Sequence, residues 1–170
     1  MNEALVPQAQ AAVEVVDAGP EEQVVAFQLA DETYGVDIGS IREIITWQRV
    51  TPVPGTQGHI EGIINLRGRV IPVVDLRRRL GLPPVPDLTN SKIVIVEHAG
   101  DTIGLVVDGV SEVLRVPTGA VEPPSRMVSD VSTDYLRGVA KVGDNLVILL
   151  SLDRALVKSA EETERLGGGI

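Results

Sequence analysis

The chain has 170 residues, a mass of 18.1 kDa and a formal net charge of −9, from fifteen basic and twenty-four acidic residues. The absence of cysteine excludes disulfides, thiolate metal sites and cysteine nucleophiles, and the negative charge argues against nucleic acid as a partner. Hydrophobic residues make up 44% of the chain but only four are aromatic, so we expect an aliphatic core.

The two ends of the chain read as tails around one ordered region, residues 23–158. Residues 1–22 carry five acids and no base, and nothing there offsets the entropy cost of ordering, so they are expected to be a disordered acidic tail. Residues 159–170 are expected to be a helix end and a flexible tail. No signal-peptide pattern and no apolar run of about 18 residues occurs, so we expect a cytoplasmic protein without membrane insertion.

Short runs of Val, Ile and Leu, separated by Gly, Pro, Asp and Asn, dominate the ordered region and are typical of strands and turns. Ten strands are predicted: Val24 to Leu29, Thr33 to Ile38, Glu43 to Trp47, Gly62 to Leu66, Val70 to Val74, Ile93 to Glu97, Thr102 to Val107, Glu112 to Val116, Gly138 to Val142 and Leu146 to Leu150. Two helices are also predicted, one capped by Asp75 over 76–80 and one capped by Ser151, running from about 151 and packing back on the strands.

The chain contains an internal repeat. Val24 to Ile45 aligns with Ile93 to Leu114 at an offset of 69, and Val70 to Leu76 aligns with Leu146 to Leu152 at an offset of 76. Each copy therefore supplies five strands followed by a capped helix.

Five strands leave exposed edges and an apolar face unless the sheet closes. We therefore expect a mainly β fold of two pseudo-symmetric five-stranded β-barrels packed together, with short helices and a C-terminal helix. Subdomain 1 is expected at about 23–90 and subdomain 2 at about 91–150, with a binding groove between them.

Catalysis is not expected. The only two histidines, His59 and His98, lie on predicted turns without metal-ligand spacing, and no nucleophile elbow, phosphate loop or dinucleotide fingerprint is present. We predict a protein that is not an enzyme and uses neither a metal nor a cofactor.

The segment Asn65 to Arg79 holds five of the fifteen basic residues, so its local field is expected to be positive. Gly68 lies at a strand reversal that favours positive φ. The second copy has Gly143-Asp144-Asn145 at this turn, without the arginines, so folding does not need the charge there. Solvated surface arginines remain the alternative. Glu43 recurs as Glu112, which suggests a structural acid that closes a turn with Ser40 or pairs with an arginine.

Several motifs together resemble the CheW family of chemotaxis coupling proteins. They are Phe27-Gln28-Leu29, Tyr34-Gly35-Val36-Asp37-Ile38, Ile41-Arg42-Glu43-Ile44, Gly62 to Gly68, Val70 to Arg77, Gly104 to Leu114 and Tyr135-Leu136-Arg137-Gly138. The resemblance covers about residues 22–157.

The resemblance implies SH3-like barrels and a non-enzymatic adaptor. Such an adaptor joins the cytoplasmic tips of methyl-accepting chemotaxis receptors to the regulatory domain of the histidine kinase CheA. It thereby allows receptors to control the activity of the kinase in arrays. It implies a cytoplasmic protein, monomeric alone, that is recruited to membrane receptor arrays. The receptor tip, a helical hairpin, is expected at the groove between the barrels, and the kinase at barrel ends.

Residue by residue, the resemblance implies receptor or kinase binding at Ile41, Glu43, Ile44, Arg67, Ile93, Val110 and Val113. It implies structural turn or strand glycines at Gly62, Gly68 and Gly104. Two alternatives stay open: a CheW-like regulatory module of another two-component signalling pathway, and a small β-barrel hydrolase.

Overall fold

The computed structural model describes residues 19–55, 60–124 and 133–156. Its strands are β1 (Glu21–Leu29), β2 (Glu32–Asp37), β3 (Ile41–Thr46), β4 (Ile60–Leu66), β5 (Arg69–Asp75), β6 (Lys92–His98), β7 (Asp101–Val107), β8 (Gly109–Pro117), β9 (Val121–Glu122), β10 (Leu136–Val142) and β11 (Asn145–Leu150). One-turn 3-10 segments lie at Ile38–Ser40, Thr118–Ala120 and Thr133–Tyr135. The helices are Leu76–Arg79 and a C-terminal helix described over 152–156.

The predicted mainly β fold is confirmed, and all ten predicted strands are present. β9 was not predicted because two residues carry no periodic pattern. Both predicted caps exist: the Asp75 carboxylate accepts from the Arg77 amide at 3.1 Å, and Ser151 Oγ accepts from the Arg154 amide at 3.3 Å. The expected tail overlaps β1 by two residues, because β1 begins at Glu21, which pairs with Pro117 on β8. Residues 1–18 and 159–170 lie outside the described residues.

The strands form two sheets. One sheet has the order β3-β6-β7-β5-β4, and the other has the order β8-β1-β2-β11-β10-β9. The chain that leaves β3 crosses to the far edge of its own sheet, where Thr51 pairs with Ile63 on β4. The chain that leaves β8 likewise reaches the far edge of its sheet through β9, which pairs with β10. Both sheets therefore close, into a five-stranded barrel and a six-stranded barrel.

The two barrels do not correspond to the two copies of the repeat. The β1–β2 hairpin of the first copy completes the six-stranded barrel, and the β6–β7 hairpin of the second copy completes the five-stranded barrel. The expected subdomains, about 23–90 and about 91–150, therefore do not match the sheets. Because both copies have a similar apolar pattern, the pattern alone does not indicate which hairpin completes which barrel.

Three apolar clusters hold the fold together. One fills the five-stranded barrel, one fills the six-stranded barrel, and the largest lies between them. The largest, here the central cluster, contains buried side chains of both barrels and of the C-terminal helix: Phe27, Leu29, Tyr34, Val36, Val74, Leu76, Leu80, Leu82, Val94, Val96, Ile103, Leu105, Val107, Leu136, Ile148, Leu150, Leu152 and Leu156. The seam between the barrels is therefore packed core over much of its area.

Candidate functional site

The turn between β4 and β5 is a two-residue hairpin loop, Arg67-Gly68, flanked by the pair Leu66 and Arg69. Both loop residues have positive φ, 51° at Arg67 and 84° at Gly68, as a type I′ turn requires. The Asn65 Oδ1 accepts from the Gly68 amide at 2.9 Å and stabilises the turn. Glycine takes such a φ freely, but arginine does so at a cost, so Arg67 is a strained residue at the surface.

Glu43, on β3, holds the Arg67 side chain. Arg67 Nη1 and Nη2 donate to the two carboxylate oxygens of Glu43 at 2.6 and 2.8 Å, a bidentate ion pair. Hydrogen bonding to the guanidinium lowers the pKa of Glu43, and the carboxylate raises the pKa of Arg67, so both groups are charged at neutral pH. Of the two roles left open for Glu43, the structure shows pairing with an arginine.

A depression with a volume of about 460 Å³ lies at this end of the five-stranded barrel. It is lined by Arg42, Glu43, Leu66, Arg67, Arg69, Ile71, Ile95 and Thr102. On its rim, Arg42 pairs with Glu97 at 2.6 Å, and Arg69 Nη2 donates to Thr102 Oγ1 at 3.1 Å. Single-sequence reasoning missed Arg42, Arg69 and Thr102, because their shared location depends on strands from both copies of the repeat.

The other predicted binding residues occupy different environments. Ile44 on β3 and Val113 on β8 are 41% and 50% exposed, and they are equivalent positions of the repeat. Ile41 and Val110 are half-buried against the central cluster. Ile93 is fully buried inside the five-stranded barrel, so its side chain offers no surface to a partner, and the expected contact at Ile93 stays a prediction. Ile93 pairs with Ile45 on the neighbouring strand β3.

The predicted structural glycines differ in what they do. Gly62 has φ +149°, and a Cβ there would lie 2.1 Å from the Thr51 carbonyl oxygen, so the close approach that shuts the barrel needs glycine. Gly68 has open space around it and is required by its φ alone. Gly104 lies on β7, where a Cβ would meet Ile93 Cγ2 at 2.9 Å.

Arg77 does not contribute to a free basic surface. It donates to both carboxylate oxygens of Asp108, at 2.8 and 2.5 Å, and to the Pro83 carbonyl at 2.8 Å. Asp108 also accepts from the Ala30 amide at 2.8 Å, so this ion pair ties the short helix to the β1–β2 turn of the other barrel.

Arg78 and Arg79 are also used internally. Arg78 lies 3.3 Å from the Asp75 carboxylate and 3.7 Å from that of Glu61. Arg79 is buried, donates to the Ala155 carbonyl at 2.7 Å and stacks over the Tyr135 ring at 4.9 Å. Arg77 and Arg78 are thus paired with acids and Arg79 is buried, so the arginine run links parts of the fold and does not form a free basic surface.

Burial raises the pKa of Asp75, and its hydrogen bonds to the backbone and Arg78 only partly oppose this effect. Burial also raises the pKa of Glu61, with a further contribution from the nearby Asp75 charge. Asp75 is buried and Glu61 is partly buried, so both shifts reflect how the fold packs around these carboxyls.

His98 bonds Asp153 through Nε2 at 2.9 Å, which links β6 to the C-terminal helix. His59 lies outside the described residues. Within residues 19–55, 60–124 and 133–156, no cluster of three or more potential metal ligands occurs. None of the helices in these same ranges is both long and apolar enough to cross a bilayer.

Comparison with known proteins gives consistent matches. The sequence model of the CheW-like domain matches residues 23–160. A probable chemotaxis protein CheW from Rhizobium etli is 31% identical over 151 residues, covering 89% of this chain and 97% of that protein. The chemotaxis protein CheW from Thermotoga maritima is 34% identical, covering 84% and 92%. The crystal structure of the scaffolding protein TtCheW from Thermoanaerobacter tengcongensis matches with a TM-score of 0.72 and 40% identity, covering 78% of this chain and 90% of that one.

Proposed function

The chain belongs to the CheW-like domain family, and we propose that it is a chemotaxis scaffold that couples methyl-accepting chemotaxis receptors to the histidine kinase CheA. Its partners are the cytoplasmic tip of the receptor and the regulatory domain of CheA. It performs no chemical step and acts by holding these partners in contact, which lets receptors control the kinase in arrays. The relatives of this chain, a chemotaxis protein and a scaffolding protein, support this role.

The observation that carries the proposal is the Glu43–Arg67 ion pair on a strained turn. Folding does not require an arginine there, since the equivalent turn of the second copy has Gly143, with φ 61°. The left-handed conformation costs energy for a non-glycine residue, and Ala30 and Ala99 also adopt it in hairpin turns, so the ion pair rather than φ supports a function for Arg67. The bidentate pair holds the Arg67 side chain, which is 70% exposed, in one orientation. Preorganised polar groups of this kind give a binding surface specificity.

The opposite face of β3 supplies apolar contact area. Ile44 follows Glu43 on β3, so its side chain points to the other face of the strand, where it is exposed on a strand fixed in the sheet by pairing with β6. Aliphatic side chains surrounded by a few fixed polar groups form the usual pattern of a protein–protein interface. This pattern suits a helical receptor tip or another barrel better than it suits a small substrate.

The test is binding of the purified chain to a receptor tip fragment and, separately, to the CheA regulatory domain. Arg67→Glu should weaken binding at least tenfold, because it removes the positive charge and places two acids together. Arg115→Glu, on the exposed face of β8, is the matched control with the same charge change. Thermal unfolding should stay close to wild type in both variants, since neither side chain is buried.

Near-wild-type assembly of Arg67→Glu with both partners would refute the role of the pair. Failure of the unmodified chain to bind either partner would refute the coupling function and favour a regulatory module of another two-component pathway. Turnover of ester or nucleotide substrates that depended on His59 or His98 would instead support the hydrolase alternative.

We also propose that the chain is monomeric alone and reaches the membrane only through receptors. Light scattering on the isolated chain tests the first point. Co-sedimentation with vesicles, with and without embedded receptors, tests the second, since binding to bare vesicles would contradict it.

A further inference from the structure

The depression at the end of the five-stranded barrel is a second recognition feature beside the Glu43–Arg67 pair. Its floor is aliphatic, because Ile71 and Ile95 are each only 2% exposed and Leu66 packs against the same cluster. Its volume of about 460 Å³ is in the range of sites that take a small ligand or a few side chains. A whole helix does not fit into such a space, but the tip of a loop does.

The rim of the depression carries three arginines, Arg42, Arg67 and Arg69, against two carboxylates, and therefore one positive charge in excess. Arg67 lowers the pKa of Glu43, whereas the pKa of Glu97 is lowered by its bond to Arg42 and also by the charge of Arg69. Arg69 donates to the neutral hydroxyl of Thr102. Within the described part of the chain, Arg69 forms no ion pair with a carboxylate.

Arg69 is well placed to take an anion. It is the first residue of β5, directly after the hairpin loop, and it is exposed. A guanidinium has five N–H donors, and the bond to Thr102 uses one of them. The remaining donors can bind a carboxylate in the two-bond geometry that arginine favours. The excess positive charge stands out in a chain whose formal net charge is −9.

We propose that this depression binds an acidic side chain on a projecting loop of a partner protein, with Arg69 holding the carboxylate. An aliphatic neighbour of that acid packs on the floor formed by Ile71 and Ile95. Arg69 favours an acidic side chain, and the aliphatic floor favours an apolar neighbour of that acid. The concave shape of the depression favours a loop over a flat surface. The inference rests on the proposed scaffold function and adds to it the chemistry of one partner contact.

The experiment compares Arg69→Gln with Arg115→Gln, an exposed β8 arginine outside the lining of the depression. Titration calorimetry measures affinity of the full chain for the receptor tip fragment and for the CheA regulatory domain, at low and at high salt. We expect Arg69→Gln to weaken binding to one of them about tenfold, with a smaller salt dependence than wild type. Arg115→Gln should change affinity less than about twofold. The affinity of Arg69→Lys should lie between those of wild type and Arg69→Gln, because lysine keeps the positive charge but cannot form the two parallel hydrogen bonds of a guanidinium.

The outcomes separate the two ideas. If the wild-type chain binds a partner and Arg69→Gln binds both partners as Arg115→Gln does, the proposed function stands and this inference is overturned. If the wild-type chain binds neither partner, both are overturned. Melting curves measured by circular dichroism establish that the variants are folded before they are compared.

Discussion

Replacing Gly62 by alanine tests whether the crossing strand segment really shuts the five-stranded barrel. Gly62 lies on β4 with φ +149°, and an added Cβ would lie 2.1 Å from the Thr51 carbonyl oxygen and 2.9 Å from the Pro52 Cα. Real Cβ atoms do not approach backbone atoms so closely. The Thr51 segment must therefore move by about 1 Å, which breaks the two backbone bonds of 2.8 and 2.9 Å between Thr51 and Ile63.

The magnitude follows from these two effects. Backbone strain at a positive φ costs about 1–3 kcal/mol, and each lost backbone hydrogen bond costs about 1 kcal/mol. We therefore expect Gly62→Ala to lower the free energy of unfolding by about 3–5 kcal/mol. Gly68→Ala is the control, because its φ is +84° but nothing lies within 4 Å of the added Cβ, so only strain remains. That control should lose about 1 kcal/mol.

Equilibrium unfolding in urea, followed by far-ultraviolet circular dichroism, measures both losses. Gly138→Ala extends the series, since the equivalent Cβ in the six-stranded barrel would lie 2.8 Å from the Glu122 carbonyl oxygen without a positive φ. Its loss should fall between the other two. A Gly62→Ala loss no larger than that of Gly68→Ala would refute the argument that Thr51 closes the barrel against β4.

The remaining predictions concern groups whose surroundings are set by tertiary contacts. Burial raises the pKa of Asp75 and so favours its protonated form in the folded state. The resulting stabilisation is fully present below the usual pKa of 3.8 and is lost as pH rises through the raised pKa. Asp75→Asn, which keeps a capping oxygen, should therefore gain stability relative to wild type as pH rises from 4 to 7 in urea unfolding, and a constant difference would contradict this. Arg79→Ala should lower the free energy of unfolding by about 2–4 kcal/mol, because it removes buried packing and the bond to the Ala155 carbonyl. Arg78→Ala, at a half-exposed side chain, should lower it by under about 1 kcal/mol, and equal losses would contradict the structural role of Arg79. Ile93→Ala should lower the free energy of unfolding by about 2–4 kcal/mol and leave the partner affinity of the folded protein unchanged. Ile44→Glu should weaken partner binding with little loss of stability. Weaker binding by folded Ile93→Ala would support Ile93 as a contact residue.

Much of the local structure could be predicted from sequence, because it depends on neighbours in the chain. The alternation of Val, Ile and Leu located all ten predicted strands, and the capping oxygens of Asp75 and Ser151 located both helix starts. Gly68 marked the hairpin turn through its need for positive φ. The recurrence of Glu43 as Glu112 suggested an arginine partner for this acid in both copies. Within the described residues, Glu43 pairs with Arg67, and no arginine pairs with Glu112.

The candidate site was predicted only in part. Arg67 and Glu43 are joined at the surface and Ile44 is exposed on the same strand as Glu43, whereas Ile93 is buried. An isoleucine in a strand reads the same whether its strand is an outer edge or a barrel wall, so its burial could not be judged from the pattern. The arginine run at Arg77, Arg78 and Arg79 looked like a surface charge because two of the groups that bind it, Asp108 and the Ala155 carbonyl, lie far along the chain.

The amino-acid sequence by itself determined a duplicated β unit with an aliphatic core, its turns and its helix caps, since these follow from periodicity and from residue conformational preferences. Only the tertiary structure decided which hairpin completes which barrel, because the two copies share one apolar pattern and periodicity does not distinguish them. That exchange brings β3, the Arg67 turn and the β6–β7 hairpin to one barrel end, where Arg69 and Thr102 meet across 3.1 Å. The depression exists only through this pairing of distant strands, and no local signal in the chain encodes it.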